Sequence, residues 1–450
     1  MLDVAIRGGT VVTADAVTET DVGIDGGQIV VVGSVGLARE EIDATGLLIV
    51  PGGVDPHTHL AAQQRPNGPR SPTDFATGAS AAAFGGTTTI VDYALQPPGG
   101  ALRDALTDWM SRAGDCSIDY ACHLVLADAS PATLAEIPSL VERGFPTFKL
   151  FLHRFDDDDA LAAMRAIRDA GGLAMIHCED SAVEAAVHRK LGGGGPVSAS
   201  AWPHLRPPES ENAGTARAVA LARDTACPVC VVHVSTRTSL EQILEARRMG
   251  VTAYIEVRPV HLWFAAERYV DPDAWVTFSG YPPLRERADV EGLWQAVTDG
   301  EVDMVGSDHA AWTREQKVVA AADSTAMPVG MSGLETFRSV IFSAGVVDRG
   351  LPVSRFVALT ATAAARLLGL GASKGDLTPG MDADVVLWDR EAIRVVDAGE
   401  GHAGVDLDPF DGVPLVGWPR QVLSRGVRIL CDGKFTGTPG RGRLIQRYLQ

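Results

Sequence analysis

From about residue 87 to residue 307 the chain repeats one pattern: a short apolar run, then a helix-length stretch whose apolar positions recur three or four apart. The apolar runs are Thr87–Tyr93, Tyr120–Leu126, Thr147–Leu152, Leu173–His177, Val229–Val234, Val251–Val257 and Val302–Ser307, with Leu47–Val50, leading to His57, read as the first of the series. Strands apolar along their whole length are covered on both faces, as in parallel sheets, whereas half-exposed antiparallel strands alternate. Eight such strands separated by helices predict an α/β chain built on a (β/α)8 TIM-like barrel. The segments between them are amphipathic. Leu161, Met164 and Ile167 share one helical face, and the acidic run Asp156–Asp159 supplies a negatively charged helix N-terminus, so that run is read as a cap and not as a metal site.

The two ends of the chain have a different rhythm. Val4–Ile6, Thr10–Val12, Asp21–Ile24 and Ile29–Val32 are short β segments broken by glycine turns, and Ala383–Trp388 and Val427–Gly433 are strand-like again. Neither end is long enough to close a core alone. The expectation is one small β-sandwich subdomain built from both termini, with residues 1–50 and 376–450 flanking a barrel at 51–375.

Composition narrows the partners. A 450-residue chain with 46% hydrophobic residues can bury a large core, and a formal net charge of -18 argues against nucleic acid or an anionic membrane as a partner. No apolar run approaches the ~18 residues that span a bilayer, and no basic leader opens the chain, so a cytoplasmic protein is expected. The six cysteines are scattered, which fits reduced thiols better than a disulfide framework; Cys227 and Cys230 have CxxC spacing but no second pair for a structural zinc. The glycine clusters Gly99-Gly100 and Gly192–Gly195 lack the following Lys-Ser/Thr of a phosphate cradle.

In a barrel of this kind the chemistry collects at the carboxyl ends of the strands. Reading those positions gives His57 and His59, Lys149, His177, His233 and Asp308. Any one histidine closing a strand has a structural explanation, but four converging with an aspartate on one mouth point to metal. Lys149 sits in the apolar strand Pro146–Leu152, where an unpaired ammonium is costly. A neutral amine that captures carbon dioxide becomes an anionic carbamate, an N6-carboxylysine able to bridge two divalent cations. Nitrogen and oxygen donors of this kind fit zinc best and manganese or cobalt next.

The strings Pro51-Gly52-Gly53-Val54-Asp55-Pro56-His57-Thr58-His59-Leu60, Ala83–Thr89, Phe148-Lys149-Leu150-Phe151, Ile176-His177-Cys178-Glu179-Asp180, Val232-His233-Val234-Ser235, Tyr281-Pro282-Pro283-Leu284-Arg285, Gly306-Ser307-Asp308-His309 and Pro379–Val385 resemble the cyclic amidohydrolases, most closely the dihydropyrimidinase and hydantoinase branch. The resemblance runs in order over essentially the whole chain. It implies a binuclear centre in which His57, His59 and Asp308 hold the more buried metal, carboxylated Lys149 bridges, and His177 and His233 hold the more exposed one. It further implies that metal-activated hydroxide opens the ring of a small cyclic amide, imide or ureide, with Asp308 as proton shuttle, in a homotetramer or homodimer. Allantoinase-like or dihydroorotase-like specificity is the alternative. A non-catalytic scaffold, known among animal relatives, is the third reading, opposed by retention of every ligand position.

Three candidate substrate contacts depart from the family. The tyrosine expected five residues after the lysine is Arg154, the serine before Pro282 is Tyr281, and the asparagine before Gly330 is Val329. Arg154 could stabilise an oxyanion, bind a substrate carboxylate, point to solvent or pair with Asp156–Asp159. The arginine that dihydroorotases carry two residues after the histidine pair is Ala61, although Gly330–Thr336 leans toward their pattern. The loop Ala61–Thr73, with Gln63, Gln64 and Arg65, is expected to overhang the mouth. Trp202, Trp263 and Trp312 are expected in core or subunit packing, with lining an apolar pocket as the alternative.

Overall fold

Gly52 alone separates two consecutive strands that go to different sheets. The computed structural model, which describes residues 1–64, 68–193 and 195–449, assigns Leu48–Pro51 to a seven-stranded sheet and Gly53–Thr58 to the barrel. Leu47–Val50 is therefore not the first barrel strand. Apolarity on both faces is as true of a sandwich strand covered by the barrel as of a barrel strand, so hydrophobicity alone does not separate them.

The barrel strands are β1 (Gly53–Thr58), β2 (Thr87–Leu95), β3 (Asp119–Val125), β4 (Thr147–Phe151), β5 (Leu173–His177), β6 (Val229–Val231), β7 (Ala253–Val257) and β8 (Met304–Val305), hydrogen-bonded in sequence order and parallel throughout. The seam between β8 and β1 is closed by side chains as well as backbone. The Asp55 carboxylate accepts from the backbone N–H of His57 and of Ser307, both at 3.1 Å, and Ser307 Oγ donates to the His57 carbonyl at 3.2 Å. Just beyond, the His59 N–H donates to the His309 carbonyl at 2.8 Å. These links bind the end of the first strand to the turn after the last one.

The helix predicted over the acidic run spans Asp157–Asp169, and Asp156 caps it by accepting from the Asp159 N–H at 2.9 Å. Its buried face is Ala160, Ala163, Met164 and Ile167, with Leu161 at the edge.

Strands from both termini build the sandwich. One sheet runs Gln28–Gly33, Asp21–Asp25, Leu2–Arg7, Ala38–Asp43; the other runs Lys434–Phe435, Val427–Cys431, Pro414–Ser424, Val385–Val395, Leu48–Pro51, Thr10–Val12, Val17–Glu19. Ile6, Val22, Ile24 and Ile49 share one buried cluster with Val385, Leu387 and Leu423, so neither terminus has a core without the other. Sandwich and barrel are joined by charge: the Lys374 ammonium lies 2.6 Å from Asp119 at the start of β3, 2.9 Å from Asp382 and 2.8 Å from Asp384. The C-terminal segment then passes beneath the barrel. The Tyr120 N–H donates to the Arg443 carbonyl, and the buried Arg447 guanidinium donates to Thr147 Oγ1 at 2.7 Å and to the Cys122 carbonyl. Among the described residues no helix is long and apolar enough to cross a membrane.

Candidate active site

The strand ends bring the six sequence candidates together. His57, His59, Lys149, His177, His233 and Asp308 all line one cavity of about 280 Å³ at the carboxyl end of the barrel. His57 comes from β1, Lys149 from β4 and His177 from β5, while His233 and Asp308 follow β6 and β8 in left-handed backbone, at φ 42° and 47°. Neither is glycine, and a left-handed non-glycine residue costs on the order of 1–3 kcal/mol. The turns aim both side chains inward.

Two clusters of donor atoms result. His57 Nε2 and His59 Nε2 each lie 3.2 Å from Asp308 Oδ1, and His177 Nδ1 faces His233 Nε2 at 3.0 Å. Each imidazole that turns one nitrogen into the cavity has its other nitrogen held from behind where a carboxylate is within reach. His57 Nδ1 contacts Glu256 Oε1 at 2.8 Å, and His177 Nε2 contacts Glu179 Oε2 at 2.5 Å. Glu179 is in turn held by Arg206 at 2.6 Å. Such outer carboxylates fix the ring and its tautomer.

The electrostatics favour ligand protonation states. Burial holds His57 and His233 well below the ordinary imidazole range, and it also lowers His177 despite Glu179, so these rings are neutral. Burial would raise the Asp308 carboxyl, but Arg258, His57 and His59 outweigh it and hold it well below the usual carboxylate range. Burial pushes the Lys149 amine down to about 8, and its Nζ sits over the rings of Tyr93 and Phe151 at 5.2 and 5.5 Å, with no carboxylate at ion-pair distance among the described residues. At neutral pH about a tenth of that amine is unprotonated and nucleophilic, far more than for an ordinary lysine.

The other candidates divide. Arg154, Tyr281 and Val329 also line the cavity. Arg154 is exposed at the mouth, its guanidinium 4.7 Å from the Phe151 ring centroid, and it does not pair with the acidic run: Asp156 is the helix cap and Asp157 pairs with Arg217 at 2.7 Å. Tyr281 is stacked between Trp202 at 5.1 Å and the Arg206 guanidinium at 3.6 Å. The tryptophans stand behind the wall: Trp202 donates to the Gly280 carbonyl, Trp312 donates to the Val329 carbonyl, and Trp263 packs on Phe410. In the overhanging loop, Gln64 reaches the cavity and its carboxamide pairs with both the N–H and the carbonyl of Val329; Arg65, Pro66 and Asn67 lie outside the described residues. Ala61 is buried and Arg70 donates to its carbonyl.

Sequence reading overlooked the supports. Glu256, Glu179 and Arg258 are all buried and each touches a ligand candidate. The signal was available for Glu256, a carboxylate inside the apolar strand Ala253–Val257, by the reasoning that singled out Lys149. Cys227 and Cys230 are separate buried thiols, and all six cysteines are free.

Residues 48–429 match the amidohydrolase family, and the chain belongs to it. It is 35% identical to the D-hydantoinase of Geobacillus stearothermophilus over 98% of this chain and 96% of that one. It is 36% identical to the D-phenylhydantoinase of Escherichia coli K12, over 99% and 98%. The dihydropyrimidinase structure from Brevibacillus agri superposes with a TM-score of 0.95 at 36% identity, covering 100% of this chain and 99% of that one. The family implies a binuclear divalent-metal centre, and the donor chemistry fits one. Among the described residues His57, His59 and Asp308 form a group whose ligand atoms lie within 4.8 Å of one another, and the facing nitrogens of His177 and His233 form a second. Behind these groups, the buried atoms Glu256 Oε2 and Asp55 Oδ2 have no hydrogen-bond partner among the described residues.

Proposed function

We propose that this protein hydrolyses the ring of a cyclic amide, imide or ureide, as a hydantoinase or dihydropyrimidinase does. The observation that carries the reading is the convergence of four imidazoles, one carboxylate and one buried amine on a single cavity. His57, His59 and Asp308 would hold the more buried cation, Lys149 as N6-carboxylysine would bridge, and His177 and His233 would hold the more exposed one. Zinc suits these donors best, with manganese or cobalt next. Two divalent cations in such a site supply hydroxide near neutral pH and a Lewis acid for the carbonyl oxygen.

The chain's own groups do the rest. Asp308, kept ionised by Arg258 at 3.2 Å, accepts the proton of the attacking water and returns it to the departing ring nitrogen, base first and acid second. The C–N bond breaks as the new C–O bond forms, and the nitrogen leaves as a neutral amine or amide. Leu95, Val125, Phe151 and Met327 line the cavity with apolar surface that takes the ring substituent and excludes bulk water. Tyr281, which differs from the family, is read as a contact made through backbone, whereas the Val329 N–H and carbonyl are held by Gln64 and Trp312, so that position is read as cavity wall.

The same reading carries a cytoplasmic homotetramer and the division into residues 1–50, 51–375 and 376–450; light scattering in solution tests the assembly. For the function, metal-loaded protein is assayed on dihydrouracil, hydantoins, allantoin, dihydroorotate and simple imides and lactams. Ring opening of at least one class is expected with about two metals per chain. Full metal loading with no turnover on any of them would sink the proposal. Turnover confined to allantoin or dihydroorotate would select the alternative specificity, and less than about one metal per chain would favour the scaffold.

A further inference from the structure

Among the described residues of the cavity wall, Arg154 and the buried Lys149 are the two cationic groups with no carboxylate at ion-pair distance, and of the two only Arg154 stands at the exposed mouth. Asp308 is the only carboxylate among the described lining residues, and it is already engaged by Arg258, His57 and His59. The neighbouring Arg206 is fully committed, to Glu179 at 2.6 Å and to Glu184 at 2.5 Å, with its face on Tyr281. Arg154 has none of these. Of the acidic residues that follow it, Asp156 caps the helix and Asp157 pairs with Arg217, none of the four forms an ion pair with Arg154, and its guanidinium rests on the Phe151 ring. That ring also lies against Lys149, so one phenyl group separates the guanidinium from the amine at the reacting centre.

The position also decides what this cation reads. Arg154 ends a single 3-10 turn, Leu152–Arg154, that carries the chain off the end of β4 and out to the mouth, where the side chain is exposed. A carbonyl under attack must sit deeper, among the histidines and Lys149. A group on the ring's substituent, directed outward along Phe151, meets the guanidinium. A planar fork of N–H donors, unpaired and resting on an aromatic face, is matched in shape and charge by a carboxylate.

We infer that Arg154 is a specificity-determining residue that binds an anionic substituent, so that the preferred substrate is a cyclic amide or ureide bearing a carboxylate on a short side chain. This rests on the ring-opening function proposed above, and deepens it. The apolar remainder of the wall holds the ring and the methylene stem, while Arg154 discriminates by charge at the mouth.

The test compares 5-(carboxymethyl)hydantoin with its uncharged isostere 5-(carbamoylmethyl)hydantoin, using zinc-loaded wild type, Arg154→Gln and Arg154→Lys. Binding is measured by calorimetry and turnover separately. Wild type is expected to favour the acid at least about tenfold in binding and in kcat/KM, with the difference in KM. Arg154→Gln should lose that preference while its constants for the amide stay within about threefold, and Arg154→Lys should keep part of it. Equal binding of acid and amide by wild type would overturn the inference even if both rings open. A fall in kcat on both compounds in Arg154→Gln would overturn it in favour of oxyanion stabilisation. A preference for binding the acid without ring opening supports the anion site and instead counts against the proposed reaction.

Discussion

His57 Nδ1 and Glu256 Oε1 lie 2.8 Å apart with both side chains buried, so a histidine of the first barrel strand is oriented by a carboxylate of the seventh. Burial drives the two in opposite directions, lowering the imidazole and raising the carboxyl to about 8. The same Glu256 oxygen accepts from the His233 N–H at 3.2 Å, so one carboxylate orders ligand candidates of both clusters. Glu256→Gln keeps the shape and removes the charge. It is expected to weaken metal affinity about 10- to 100-fold, measured by chelator competition. Unchanged affinity would remove Glu256 from the centre's support.

Lys149→Ala should abolish ring opening and bring metal content below that of wild type, both measured on protein purified under bicarbonate. Added short carboxylic acids with metal should restore part of the activity by standing in for the carbamate. Full activity in the unrescued variant would exclude the bridging role.

Asp308→Asn keeps an oxygen donor toward His57 and His59 but cannot take up a proton. Turnover is expected to fall about 10²–10⁴-fold while metal is retained. A kcat equal to wild type would assign the proton transfer elsewhere.

Asp408 offers a test of stability away from the metals. Its half-buried carboxyl, bonded to the Phe410 N–H at 2.8 Å and to Ser332 Oγ at 3.1 Å, is pushed up by desolvation to about 7. A raised carboxyl pKa means that the folded state binds the proton more tightly than the unfolded one. Stability is therefore lost as pH rises from the unfolded value near 3.8 through about 7. Asp408→Asn mimics the protonated form, so its Tm should fall less than that of wild type between about pH 5 and pH 8. Equal slopes for the two proteins would show that Asp408 does not titrate in this way.

The barrel and the gathering of the six candidates on one cavity were legible because each rests on a local signal that burial makes costly to fake: continuous apolar runs, and polar groups at their ends. What stayed hidden was relational. The break between Leu48–Pro51 and Gly53–Thr58 depends on which partner each strand finds, and Val385–Trp388, which pairs with the former, is more than three hundred residues away. Glu179 and Arg206 stand out only once the fold sets them together. Arg154 was visible as a departure from the family, but whether it was free depended on where Asp156 and Asp157 turned. The tryptophans take the packing role expected of them, Trp202 behind Tyr281 and Trp312 behind Val329, and line no part of the cavity.

The shared sandwich core sets an order of events during synthesis. Leu48–Pro51 leaves the ribosome early, yet its strand partner Val385–Val395 comes near the end, and the tail residue Arg447 that reaches Thr147 comes later still. A nascent chain thus holds an apolar strand with one edge unpaired, directly before His57 and His59, for most of translation. The half-made enzyme is the state in which shielding by chaperones matters most, and a chain cut short before Val385 lacks the partner that Leu48–Pro51 requires.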